Sequence, residues 1–170
     1  MDLEYIEQLA CEFRNALDVI RVKKLYGRLT IFEHFPKECC GYTSDLLATY
    51  LIDKGISRER IRVGKSKSYE EEHTHCWIMI DDILFVDITA DQFNGKPYFK
   101  KYEPIPACCI VTRDTYLYEC FDKHKTQYSR NIGINSYSGD VPAKLQVVYD
   151  AVLQQIVKNH KGDRRNGILY

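Results

Sequence analysis

An α+β domain is expected from this chain of 170 residues, because helical and strand-like patterns occupy separate stretches. Apolar residues recur at three- and four-residue spacing near the N-terminus and again after residue 141, and a third such stretch precedes a block of short apolar runs broken by turn residues. The length suits one domain, 1–170, and 45% hydrophobic with 28% charged residues supply an ordinary core.

The first helix is read from Leu3, Ile6, Leu9, Ala10, Phe13, Leu17 and Ile20, with Glu4, Glu7, Arg14 and Asp18 between them. A second begins after Pro36, carries Leu46, Leu47, Tyr50 and Leu51 on one face, and stops at Gly55, a residue suited to a left-handed C-terminal position. Candidate strands follow at 60–65, 74–80 and 83–87, the last two joined by Asp81-Asp82 as a two-residue hairpin turn. Asn94-Gly95-Lys96-Pro97 marks a turn, Pro104 and Pro106 frame a connection, and 108–111 is a further short strand. No period is legible from 114 to 135. Ser138 to Pro142 is a helix-start signal, and Leu145, Val148, Tyr149, Val152 and Ile156 continue it, with 158–165 as a basic helix terminus and tail.

Charge and cysteine usage narrow the function classes. Lysine plus arginine and aspartate plus glutamate number 24 each, so no global basic field favours nucleic acid. The start, Met1-Asp2-Leu3-Glu4-Tyr5, lacks the basic and apolar regions of a secretory signal, and no apolar run reaches the ~18 residues that span a bilayer. A cytoplasmic protein with reduced thiols is expected, with no membrane association; export without a signal, as an effector, stays open. Seven cysteines, an odd number, do not form a complete disulfide framework, and no Cys-x-x-Cys marks a zinc ribbon or a thioredoxin-type site.

Three segments carry chemistry together. Phe35-Pro36-Lys37-Glu38-Cys39-Cys40-Gly41 leads into the second helix. Cys40 therefore stands where unsatisfied backbone N–H groups and the positive end of the helix dipole favour a thiolate. His75 lies on the 74–80 strand, and Asp87 ends its neighbour. A turn at Asp81-Asp82 would set Asp87 across from Cys76, so His75 and Asp87 share a face only through a bulge or an offset register. If they meet, Cys40 attacks a carbonyl carbon, His75 moves the proton, and Asp87 fixes the imidazole tautomer. The Cys40 backbone N–H supplies half of an oxyanion hole, and His34, six residues earlier, is a candidate for the second donor.

Cys40 opening a helix that ends Lys54-Gly55-Ile56, then His75-x-Trp77, then Asp87-x-Thr89, resembles the transglutaminase-like branch of the papain-like cysteine enzymes. The resemblance covers residues 35–89. It implies a nucleophile helix packed on an antiparallel sheet, a Cys40, His75, Asp87 triad and no cofactor. Where the family often has glycine shortly before its cysteine, this chain has Glu38-Cys39; Cys76 stands for an alanine and Ile88 for a proline. The string Asp87-Ile88-Thr89-Ala90-Asp91-Gln92-Phe93 is similar to one in bacterial proteins of this type.

Other readings compete. Cys39 is the neighbour most easily confused with Cys40, although the interval to Gly55 and the following Gly41 favour Cys40. The remaining cysteines read as small core residues. His73 and His75 share a strand face and could present a metal, a weaker reading without further ligands. Asp91 could replace Asp87, but reads better as a turn residue. Glu70-Glu71-Glu72 is read as a solvated loop, and Trp77 as core. Thirteen tyrosines, among them Tyr98, Tyr102, Tyr116, Tyr118, Tyr128 and Tyr137, could line a binding face. The leading expectation is a thioester-forming hydrolase of a peptide or protein amide: a protease, an amidase or a glutamine deamidase. Acyl transfer to an amine is the second, and a catalytically silent protein-binding module the third.

Overall fold

A computed structural model describes residues 3–67, 74–112, 121 and 126–165. The first helix, α1, runs Leu3–Val22, and the second, α2, runs Cys40–Asp53. Gly55, at φ 94, ends α2 as expected. The Gly55 N–H donates to Ile52 and the Ile56 N–H to Leu51, which satisfies two of the last helical carbonyls. The strands are β1 (Ile61–Lys67), β2 (Thr74–Ile80), β3 (Leu84–Asp87), β4 (Cys109–Thr112) and β5 (Gln127–Ser129), in the order β4-β3-β2-β1-β5, all antiparallel. The third helix, α3, spans Val141–Arg165, so the basic end expected as a terminus and tail continues the helix.

Both faces of the sheet are covered, which is why β2 reads as a nearly unbroken apolar run rather than an alternating one. On one face Ile78, Ile80, Leu84 and Val86 pack with the buried stripes of α1, α2 and α3. On the other, Trp77, Met79, Phe85 and Cys109 meet Phe93, Phe99, Ile105 and Phe121. Among the described residues no helix is long and apolar enough to cross a membrane.

The β2–β3 register corrects the sequence expectation. The Ile83 N–H does donate to the Ile80 carbonyl, closing a two-residue turn. Asp81 and Asp82 hold left-handed φ of 54 and 59 in place of the usual glycine. Arg60 and Arg62 of the adjacent segment pair with these two carboxylates. The ladder, however, pairs Ile80 with Leu84, Met79 with Phe85 and Ile78 with Val86. Ile83 is thus an extra residue, 54% exposed, and the pairing is offset by one. Continued by one step, this register sets Asp87 across from Trp77 instead of Cys76, on the face that His75 shares.

Gly64 of β1 pairs with Trp77. A Cβ there would come within 2.6 Å of the indole Nε1 and 2.7 Å of Cε2. Trp77 cannot retreat, because Phe85, Phe121 and the His75 ring surround it. Gly64→Ala is therefore expected to cost about 1–3 kcal/mol through overpacking, read as a lower midpoint in urea.

Candidate active site

Cys39 is the N-cap residue of α2, and no side chain caps this helix start. Cys40, its first residue, is half-buried beside the free end of the helix dipole. Glu38 approaches it in a left-handed conformation, φ 63, that glycine would adopt more easily. Cys39 turns the other way: it is 1% exposed, and burial drives its thiol up to about 12. The two adjacent cysteines therefore have opposite characters.

His75 is fully buried in the sheet face opposite α2, with Phe121 stacked on it at 5.3 Å and Phe93 edge-on at 4.8 Å. Its Nε2 lies 2.5 Å from Asp87 Oδ2. The other carboxylate oxygen of Asp87 accepts from the Thr89 backbone N–H at 2.9 Å and from the Thr89 hydroxyl at 3.0 Å. This is the physical content of the Asp-x-Thr spacing: Thr89 locks the carboxylate that locks the imidazole. Nδ1 is the ring nitrogen that Asp87 leaves free to face other groups, and His75 and Cys40 each favour the charged form of the other.

The electrostatics follow from these contacts. Hydrogen bonding from Cys76 and interaction with His75 together outweigh burial and lower the Cys40 thiol to about 4. Burial works against charge on His75, but Asp87 and Cys40 overcome it and raise the imidazole to about 10. The thiolate is lost as pH falls through about 4, and the imidazolium as pH rises through about 10, so the ion pair spans the interval between.

Asp91, the alternative acid, is engaged elsewhere: Arg14 grips it with two hydrogen bonds of 2.8 Å. His34 ends a short 3-10 turn, Thr30–His34, is exposed, and takes no part in the contacts joining Cys40, His75 and Asp87. Trp77 is core, 2% exposed, in tilted contact with the His75 ring. His73, Glu70 to Glu72, Tyr116 and Tyr118 lie outside the described residues.

Three neighbours of the site were not read from the sequence. Gln92, in the turn Ala90–Phe93, donates its amide N–H to the Thr89 carbonyl at 2.9 Å and lies 3.4 Å from His75 Nδ1. Cys76, expected to be a core bystander, lies against the first turn of α2 and favours the charged form of Cys40. Asp45 of α2 is buried and accepts from the Gly133 N–H and the Tyr137 hydroxyl, both at 2.7 Å. The signal for Asp45 was present: a carboxylate directly before Leu46 and Leu47 in an otherwise apolar helix needs buried partners. No protein-family model, curated protein or solved structure matches the chain.

Proposed function

We propose that this protein is a cysteine-dependent amide hydrolase of the transglutaminase-like, papain-like type, acting on a peptide or protein amide. The supporting observation is the hydrogen-bonded series His75–Asp87–Thr89 together with Cys40 at a helix N-terminus, its thiolate favoured by His75. The Cys40 thiolate attacks the amide carbon; a C–S bond forms and the carbonyl oxygen takes the charge, facing the Cys40 backbone N–H. His75 gives its Nδ1 proton to the leaving nitrogen as the C–N bond breaks. It then takes a proton from water, which attacks the thioester and releases the acid. Left-handed Glu38 lies close to where the resembled family often has glycine, so the departure in residue type preserves a backbone shape that glycine favours.

The test begins with the pH profile of alkylation. Lowering a thiol from ~8.5 to ~4 raises its thiolate fraction at about pH 6 by roughly 300-fold but cuts intrinsic nucleophilicity by roughly 100-fold. A single-pH rate therefore discriminates poorly and the shape decides. Iodoacetamide labelling of Cys40, mapped by peptide, is expected to be level from about pH 5 to 8, where an ordinary thiol gains about tenfold per unit. Glutamine-bearing and other peptide amides are then incubated with and without a primary amine. A thioester on Cys40 that resolves to the acid supports hydrolysis, and amine adducts redirect the assignment to acyl transfer. An ordinary profile for Cys40, with no acylation, would overturn the proposal in favour of a binding module.

A further inference from the structure

Cys76 is a sulfur beside the Cys40 thiol that the proposed reaction does not use. It follows His75 directly on β2 and points to the opposite face, toward α2. Of the neighbouring groups, it acts most strongly on the Cys40 thiol and favours its charged form. The sulfur lies against the first turn of α2, next to Cys40: a Cβ built on Gly41 would stand in ordinary contact with Cys76 Sγ, at 3.8 Å. Exposure separates the two thiols: Cys76 is 8% exposed, while Cys40 is half-buried and reachable from solvent. Cys39, though adjacent in sequence, is turned into the core.

We propose that Cys40 and Cys76 form an oxidisable thiol pair, a modification site for hydroperoxides at which a reversible disulfide caps the nucleophile. The proposal rests on Cys40 being the nucleophile assigned above. In the first step the Cys40 sulfur attacks the peroxide oxygen; an S–O bond forms, the O–O bond breaks, and the peroxide leaves as alkoxide or hydroxide and is protonated. Sulfur has given up two electrons and is now a sulfenic acid. In the second, the Cys76 sulfur attacks the Cys40 sulfur; an S–S bond forms, the S–O bond breaks, and the leaving hydroxide takes the Cys76 proton to become water. A dithiol returns two electrons and regenerates both thiols. The two steps run in the order the exposures dictate: the peroxide reaches Cys40, and the buried Cys76 resolves the product before a second peroxide arrives. The covalent bond needs the two sulfurs to close to ~2.05 Å, a movement that helix start and strand can share.

The experiment treats the full, reduced chain with hydrogen peroxide in small excess, then digests it without reductant. Expected are a Cys40–Cys76 cross-linked peptide, located by fragmentation because Cys39 shares the Cys40 peptide, and loss of Cys40 alkylation that dithiothreitol restores. In Cys76→Ser, and in Cys76→Ala as a second variant, the same treatment is expected to leave Cys40 as a dimedone-reactive sulfenic acid or as sulfinic acid that dithiothreitol does not rescue. Equal and irreversible oxidation of Cys40 in wild type and variants would overturn the proposal, as would oxidation confined to Cys11 and Cys108, which also interact with each other. The two readings fail differently. If Cys40 alkylates with the level profile yet never cross-links, only the redox pair falls. If Cys40 is inert to iodoacetamide and peroxide alike, the nucleophile assignment falls with it.

Discussion

Under the proposed hydrolase function, Asp87→Asn is expected to lower amide turnover about 10³- to 10⁴-fold while leaving the fold intact. The substituted side chain retains an oxygen for the Thr89 N–H and hydroxyl, which now meet Asp87 Oδ1 at 2.9 and 3.0 Å. What changes is the atom facing His75 Nε2, now 2.5 Å from a carboxylate oxygen. An amide N–H there donates to Nε2, so the neutral ring carries its proton on Nδ1, pointed at Cys40, and can accept nothing from the thiol. The imidazolium also loses the opposing charge that outweighs its burial. Cys40 then loses the positive neighbour that helps hold it ionised, and its alkylation profile should turn from level to rising across about pH 5 to 8. Circular dichroism and thermal midpoint, measured alongside, separate this from unfolding. An unchanged profile and undiminished turnover would show that Asp87 orients nothing that matters to the chemistry.

Cys40, His75 and Asp87 were each legible in the sequence as candidates because each carries a local signal: a cysteine at a helix start, a histidine on a strand, and an aspartate two before a threonine. Their relation was not, and the reason is Ile83. A β-branched residue after a turn reads as the first strand position, yet here it stands outside the ladder and shifts the register by one. That single residue brings His75 and Asp87 to the same face. Strand β5 escaped for a different reason: all three of its residues are exposed, so no burial alternation exists to read, and only the β1 edge defines it. Gln92 escaped because its position beside His75 depends on a turn whose geometry is tertiary. Arg14, expected between the apolar positions of α1, is instead buried on the apolar stripe, four residues after Ala10 and three before Leu17, where a charge needs partners.

Those partners make Arg14→Met the largest expected stability loss outside the triad. Arg14 is 5% exposed and spans three segments. Its Nη1 donates to the Ile88 carbonyl at 2.6 Å and the Ala107 carbonyl at 2.9 Å; Nη1 and Nη2 hold Asp91 from both sides; Nε meets Asp18 at 2.9 Å. The guanidinium also lies 4.7 Å over the Phe35 ring, on the segment that leads into Cys40. Methionine fills much of the volume but leaves two carbonyls without their donor and Asp91 without its partner. Breaking a buried, hydrogen-bonded ion pair from one side costs about 3–5 kcal/mol. At roughly 2–4 °C per kcal/mol for a domain of this size, the midpoint should fall by about 10 °C. Ile88 and Asp91 flank Thr89, so the loosened segment is the one that fixes Asp87, and the alkylation profile of Cys40 should begin to slope before the fold melts. The double variant Arg14→Met/Asp91→Asn separates the contributions. Recovery of about 1–2 kcal/mol would assign that share to the unpaired carboxylate. Full additivity instead would mean that Asp91 gains nothing from Arg14, and that the arginine stabilises the fold through the two carbonyls and Phe35 alone.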